Sequence, residues 1–344
     1  MNPITYTVMI ISMLTSTTIV LSSHHWVLVW LGLELNTLSI IPIIIKTHHP
    51  RATEAATKYF LIQAAAAALI LLSGTLSTWQ TGQWTPTYTP SIYTTMLMIA
   101  AMLKLGLAPM HFWYPEVIQG TTLTTALIIS TWQKFAPLAI LYLISQNPST
   151  TMLTVGLLST LIGGWLGLNQ TQMRKLLAFS SIAHMGWLMT ALTLNPKLAT
   201  LTLTIYLLTT TAVFLALTMT TMKTSLDLSI PHACHPTLTI ALTLQVLSLG
   251  GLPPLAGFMP KWLILNELLL QGLVLLATLM ALASLPSLYF YLRLTYISTL
   301  TGPPSSLTTE HNWRFKLTPS PGLTIVTPLA TLLLPMTPTL INTL

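Results

Sequence analysis

Apolar residues fill one run after another along almost the entire chain. Each run has about the 17–25 residues that a helix needs to cross hydrocarbon, and Pro, Gly, Asn or charge bounds it. This pattern predicts eleven crossings, near residues 4–22, 26–45, 56–78, 91–116, 122–145, 150–168, 175–194, 198–222, 237–271, 273–296 and 322–342. The expected fold is an all-α, polytopic membrane protein. Two crossings cannot run straight. The fourth contains Gly106-Leu107-Ala108-Pro109 and the ninth Gly250-Gly251-Leu252-Pro253-Pro254, and a proline removes a backbone donor and clashes with the preceding turn. The breaks lie five crossings apart. An odd offset reverses direction, as in an inverted-topology repeat. Residues 1–145 would form one half, 150–296 the other, with 322–342 appended. The bland alternative is that Gly and Pro are common in membrane helices generally.

Composition narrows the class. Of 344 residues, 53% are hydrophobic and 6% charged, against about 25% charged in a soluble domain, so the solvent of this surface is lipid. Net charge is +7, but no basic run exceeds Arg174-Lys175 and none interleaves with aromatics, which argues against nucleic acid as a partner. A single cysteine, Cys234, excludes an internal disulfide and a four-cysteine iron–sulfur cluster held by this chain alone. Met1-Asn2-Pro3-Ile4 leads directly into an apolar run without a charged leader, so the first helix is expected to be retained.

Placing basic residues on the two sides sets the orientation. With the N-terminus on one side, that side receives Lys46, Arg51, Lys58, Arg174, Lys175, Lys223, Arg293, Arg314 and Lys316, and the other receives Lys197. Such asymmetry places the N-terminal side in the cytoplasm or a mitochondrial matrix, and the C-terminus opposite.

Four charges fall near the centre of crossings: Glu34, Lys104, Lys134 and Lys261. Each costs roughly 2.5–3.5 kcal/mol on insertion scales, so intramembrane ionisable groups point to ion or proton movement. Glu34 lies about 12 Å into its helix at 1.5 Å per residue. It reads as one member of a proton-handling pair or as a structural ion pair. Lys104 stands just before the first break. Burial disfavours a charged amine and a nearby carboxylate favours it, so such a lysine can load and release a proton. Lys134 sits mid-helix, too far from either end to snorkel, and Lys261 follows the second break. His184, also mid-helix, titrates near neutrality and could relay a proton, or could simply bond a backbone carbonyl. Glu116 and Glu267 lie near helix ends and form a weaker tier. The His24-His25 and His48-His49 pairs read as interfacial. His232, Cys234 and His235 share a short loop with no second ligand pair, a poor metal site. No glycine-rich phosphate loop is present.

Several stretches resemble the subunit 2 family of mitochondrial NADH:ubiquinone oxidoreductase, respiratory complex I. They are Leu103-Lys104-Leu105-Gly106-Leu107-Ala108-Pro109-Met110-His111-Phe112-Trp113-Tyr114-Pro115-Glu116, Trp30-Leu31-Gly32-Leu33-Glu34, Arg174-Lys175-Leu176-Leu177-Ala178-Phe179-Ser180-Ser181-Ile182-Ala183-His184-Met185-Gly186 and Gly250-Gly251-Leu252-Pro253-Pro254-Leu255-Ala256-Gly257-Phe258, together with the opening Met1-Asn2-Pro3. The likeness runs in order over nearly the whole chain. It implies an antiporter-like, proton-pumping subunit of the membrane arm, in the mitochondrial inner membrane, with its N-terminus in the matrix and its C-terminus in the intermembrane space. In that family the glutamate here at 34 pairs with Lys104, Lys134 carries the proton toward the centre, and Lys261 is the terminal lysine. NADH, FMN, iron–sulfur clusters and ubiquinone would belong to partner subunits and none to this chain. Partners would be other complex I subunits, neighbouring antiporter-like ones included, and the bilayer, with cardiolipin a candidate lipid. The family plan has fourteen helices. Eleven without the first three resembles the shortened animal form. A stand-alone cation/proton antiporter and a purely structural membrane module are the competing readings.

Overall fold

The computed structural model describes residues 3–85, 91–145, 150–229, 236–302 and 321–343. Met1, Asn2, His232, Cys234, His235, Arg314 and Lys316 lie outside the described residues. The chain divides into two compact units, Met1–Thr150 and Thr151–Leu344, and the named elements among the described residues are helices.

In the first unit, α1 (Pro3–Ser22), α2 (Trp26–Ile45) and α3 (Pro50–Thr81) follow one another through tight turns. Each of the last two starts on a histidine cap. His25 Nδ1 accepts from the Val27 N–H at 3.3 Å, and His49 Nδ1 accepts from the Arg51 N–H at 3.1 Å. These are two of the histidines expected at interfaces, and capping satisfies donors that the first helical turn leaves orphaned. Pro50 suits the first position of α3 because its missing N–H is not needed there. That start carries α3 well beyond the expected 56–78, and Glu54 on the added turns pairs at 2.5 Å with Lys58, which also reaches Glu116 at 2.7 Å. Helix α2 packs against α1 and α3, and α3 against α4 (Ser91–Leu105) and α5 (Trp113–Gly120). The fifth crossing is divided into α6 (Leu123–Ser130), a 3-10 turn at Trp132–Lys134 and α7 (Phe135–Ile144).

In the second unit, α8 (Thr150–Gly167) meets α9 (Met173–Leu194) through small residues. A Cβ on Gly186 would stand 2.7 Å from the Gly156 carbonyl oxygen, and one on Gly163 would stand 2.7 Å from the Ala183 backbone nitrogen. Small residues allow such close approach where no hydrophobic drive separates helix from lipid. Helix α9 is the central element, with 89% of its span buried, against 22% for α1. It packs on α10 (Pro196–Thr220) and α12 (Phe258–Leu270). Helix α10 also touches α11 (Pro236–Gly250) and α14 (Pro321–Leu332), while α13 (Val274–Leu300) lies against α11 and α12. One end of this unit is laced by polar contacts. The Arg293 guanidinium donates to the Leu168 and Gln170 carbonyls, the Met173 N–H donates to the Lys223 carbonyl, and the Ser225 N–H donates to the Thr171 carbonyl. There the backbone N–H groups of Thr224 and then Lys223 hold the Asp227 carboxyl below its usual range.

Among the described residues eight helices are long and apolar enough to cross a membrane, or nine when the pair Gly322–Leu332 and Leu334–Leu340, bent by 67°, is taken as one. The eleven expected crossings all have helical counterparts, but 91–116 and 237–271 are assembled from short pieces and do not reach that length. The bend in the last one falls between Leu332 and Leu334, just before Pro335, which has no N–H to donate four residues back, and a 3-10 turn and α15 (Thr337–Thr343) follow.

The close fit at Gly186 gives a prediction. Gly186→Val should overpack the α8–α9 contact and lower stability by about 1–3 kcal/mol, read as a fall in the thermal midpoint of the purified assembly. An unchanged midpoint would mean that the two helices are not held that tightly.

Candidate functional site

The polar chemistry gathers where helices stop. Helix α4 ends at Leu105 with Gly106 at φ 70°, a left-handed cap that suits a residue without Cβ. The Gly106 N–H donates to the Leu103 carbonyl at 3.3 Å and the Leu107 N–H to the Met102 carbonyl at 3.0 Å. Other end carbonyls are taken by side chains. Trp113 Nε1 donates to the Leu103 carbonyl at 3.1 Å, and Gln63 Nε2 to the Lys104 carbonyl at 3.4 Å. Lys104 therefore lies in the last turn of its helix, where the negative end of the macrodipole favours a cation. It is 6% exposed, and its Nζ has no hydrogen-bond partner among the described residues.

Lys134 is brought to the same place. Pro137 cannot donate to the Gln133 carbonyl four residues back, and the backbone there takes the 3-10 form at Trp132–Lys134. Lys134, 3% exposed, places its Nζ 5.3 Å from the centre of the Tyr114 ring, within reach of a cation–π attraction. Lys104 and Lys134 line one small cavity with Asn36, Thr37, Tyr59, Gln63, Tyr114 and Gln133. The space open to water-sized molecules is about 10 Å³, near what one water occupies. Gln133 Nε2 donates to Asn36 Oδ1 at 3.1 Å, and the Tyr59 hydroxyl donates to Gln133 Oε1 at 3.4 Å. This network ties α2, α3 and the 3-10 turn around the two lysines.

Glu34 stands beside the cavity rather than in its lining. Its Oε2 accepts from the Thr37 hydroxyl at 2.9 Å, and Thr37 is a lining residue. The carboxylate acts on Lys104 electrostatically, but it does not form a direct ion pair. Among the described residues, ion pairs within 4.0 Å are those of Lys58. Glu34 therefore reaches Lys104 through space only, and its hydroxyl partner Thr37 is the residue that joins it to the cavity wall.

The second unit repeats the logic. Helix α11 ends at Gly250, with Gly251 at φ 79° and its N–H shared between the Leu247 carbonyl at 3.2 Å and the Ser248 carbonyl at 3.0 Å. After the irregular residues 251–257, Lys261 on α12 turns its Nζ back to the Gly250 carbonyl at 2.8 Å. The ammonium thus meets the negative end of a second helix, α11. A cavity of about 20 Å³ is lined here by Lys261, His184, Tyr206, Thr202, Thr209 and Ser248, among others. The His184 ring lies 5.8 Å from that of Tyr206. Lys261 and His184 are therefore brought together, as are Lys104 and Lys134.

The weaker tier fares differently. Glu116 is exposed and spent on Lys58, and Glu267 does not line the Lys261 cavity. Reading the sequence overlooked the amides and hydroxyls around the lysines: Asn36, Tyr59, Gln63, Gln133 and Tyr206. A buried-helix pattern interrupted by Asn36, Gln63 and Gln133 was the available signal.

Comparison with known proteins fits this arrangement. Residues 23–286 match the membrane family described as NADH:quinone oxidoreductase/Mrp antiporter, and residues 288–341 match the NADH dehydrogenase subunit 2 C-terminus. NADH-ubiquinone oxidoreductase chain 2 of Varanus timorensis is 54% identical, covering 99% of this chain and 100% of that protein. The Struthio camelus protein of the same name is 51% identical over 100% of both. A chain of respiratory complex I from Thermus thermophilus superposes with a TM-score of 0.82 at 28% identity, over 95% of this chain and 76% of its own. The Mrp complex from Dietzia sp. gives 0.82 at 17% identity, over 96% and 75%, a likeness of fold alone. Matched over its full length by relatives of one name and by both parts of their family pattern, the chain belongs to the NADH-ubiquinone oxidoreductase chain 2 family.

Proposed function

We propose that this chain moves protons in the membrane arm of a mitochondrial NADH:ubiquinone oxidoreductase, using Glu34, Lys104 and Lys134 in its first unit and Lys261 and His184 in its second. One observation carries the reading: each unit encloses its own small polar cavity at a helix break, and each cavity holds a lysine in protein that is otherwise apolar. Buried charges of this kind are costly, and in membranes they mark proton or ion routes. Irregular backbone at depth is tolerated where it lines a cavity or is buried in protein. In this reading Lys104 takes its proton under the influence of the Glu34 carboxylate, Lys134 passes it on, and Lys261 is the terminal carrier. Residues 1–145 and 150–296 are two inverted repeats, a view supported by the left-handed glycine ending each broken helix, Gly106 and Gly251. Electron transfer from NADH through FMN and iron–sulfur clusters to ubiquinone belongs to partner subunits, with no cofactor held by this chain. Neighbours would be other antiporter-like subunits and anionic lipid such as cardiolipin. Co-purification with many subunits separates this reading from a stand-alone cation/proton antiporter.

Three outcomes test it. Arg51, Arg174, Lys223 and Arg314 should all face the matrix because the basic asymmetry sets them there. Reagents applied to mitoplasts from the intermembrane side should leave all four unlabelled, and labelling of even one breaks the eleven-crossing orientation.

Glu34→Gln removes the carboxylate that acts on Lys104 while keeping size and the capacity to accept from Thr37. The complex should assemble, and coupled NADH oxidation and pumping should fall by about tenfold. Wild-type turnover in an assembled variant would take Glu34 off the proton path.

Lys261→Met keeps the apolar stem and deletes the charge. Assembly should survive, because the lost contact is a single hydrogen bond to the Gly250 carbonyl, while proton release and the coupled electron transfer slow together. Normal proton uptake and NADH oxidation in reconstituted vesicles would leave Lys261 a purely structural residue.

A further inference from the structure

Helix α14 stops where its own sequence takes a donor away. A continuing helix would bond the Thr331 carbonyl to the N–H of residue 335. Pro335 has no N–H, and a proline ring crowds the carbonyl four residues back. The chain bends by 67° here and goes on into α15. The released carbonyl is used elsewhere, since the Ala256 N–H donates to it at 3.2 Å. Ala256 is 0% exposed and lies in the irregular segment 251–257 that joins α11 to α12, the helix of Lys261.

The neighbours of Ala256 donate locally. The Leu255 N–H reaches the Leu252 carbonyl at 2.9 Å, that of Phe258 the Leu255 carbonyl at 3.1 Å, and that of Met259 the Ala256 carbonyl at 3.3 Å. Ala256 instead takes its acceptor from α14. A buried N–H left unpaired costs about as much as a lost hydrogen bond, and unwound backbone at membrane depth has no water to turn to. Gly257, the next residue, lines the Lys261–His184 cavity, and a Cβ on it would overlap the carbonyl of Ser248, another lining residue. The segment is thus pressed on α11 at Gly257 and tied to α14 at Ala256. Helix α15 adds a second hold. Its Leu340 packs against a cluster of Leu201, Ile205 and Met259. Ile205 lines the same cavity, and Met259 stands two residues before Lys261. The Lys261 ammonium and the Gly250 carbonyl that receives it flank this segment in the chain, eleven residues apart. Any shift of 251–257 moves one against the other.

We propose that Pro335 is a positioning residue for Lys261: by freeing the Thr331 carbonyl it lets α14 clamp the segment that sets where the ammonium stands. The bent C-terminal helix pair is then a working part of the lysine site, not an appendage to it. The two partners fall in different parts of the family pattern, Lys261 within residues 23–286 and Thr331 within 288–341.

The inference rests on the proton-carrying role of Lys261, and the test keeps the two apart. In the intact assembly reconstituted into vesicles, Pro335→Ala, Lys261→Met and the double variant are compared by proton uptake, NADH oxidation and thermal midpoint. Hydrogen exchange is read over residues 251–259. Alanine supplies an N–H and favours helix, so it can take the Thr331 carbonyl away from Ala256. Pro335→Ala should assemble, lose exchange protection at Ala256 and pump about tenfold more slowly, because a slight misplacement of a reacting group is costly. Its effect should vanish in the Lys261→Met background, the mark of two changes that act through one group. Normal pumping in Pro335→Ala beside a defective Lys261→Met overturns the clamp alone. Losses that add in the double variant overturn it too, as does slow pumping with Ala256 still protected. Normal pumping in Lys261→Met overturns both the clamp and the role of that lysine. If Pro335→Ala does not assemble, Pro335→Gly, which supplies the same N–H with less drive toward helix, decides by the same measurements. Failure of both to assemble overturns the clamp, since the proline would then serve folding alone.

Discussion

An ammonium group in hydrocarbon has to find negative potential within a few ångströms, and this chain supplies it mainly by ending helices. Lys104 occupies the last turn of α4, Lys261 reaches the last carbonyl of α11, and Lys134 stands in a 3-10 turn over the face of Tyr114. A continuous helix has no carbonyl to spare, because each is bonded four residues on. Breaking the helix frees several at once, all directed one way, without adding a counter-charge that would itself need burial. The positions of Gly106, Pro137 and Gly251 therefore fix where the lysines can sit, and the surrounding helices pack to suit.

What accepts those carbonyls decides how polar each cavity becomes. In the first unit Trp113 and Gln63 cap the end of α4, and Asn36, Tyr59 and Gln133 form a bonded network beside the lysines. In the second unit the lysine itself takes the end carbonyl, and histidine, tyrosine and serine surround it. The first arrangement keeps the charge close to neutral amides that can re-pair. The second ties the charge to backbone.

Much of this was legible in the residues. Long apolar runs gave the helices, and glycine together with proline gave both breaks, while proline alone does not break a helix here, since Pro42 and Pro286 lie inside continuous ones. Charges in apolar runs singled out Glu34, Lys104, Lys134 and Lys261, of which the three lysines line cavities and Glu34 stands beside one. The interruption at Lys134 was not foreseen, although Pro137 announces it, because the apolar pattern of 122–145 continues across the turn. The added turns of α3 were hidden by Arg51 and Glu54, which look like loop residues until the helix sets Glu54 one turn before Lys58. The amides were visible as interruptions of apolar runs, but their bonding to one another was not. Whether Gln63 or Gln133 faces lipid or a lysine depends on helix rotation and on which helices adjoin, and both are settled by packing.

Gly251 carries a consequence for how variation in this chain is read. It holds a left-handed backbone, and a Cβ there would stand 2.9 Å from the Lys261 Nζ. Any other residue would displace the ammonium from its carbonyl while also straining the turn that offers it. A substitution at this position would thus move the Lys261 side chain although residue 261 itself had not changed. Counting charged residues alone would overlook this position, where a side chain is excluded by an ammonium eleven residues from the carbonyl it holds.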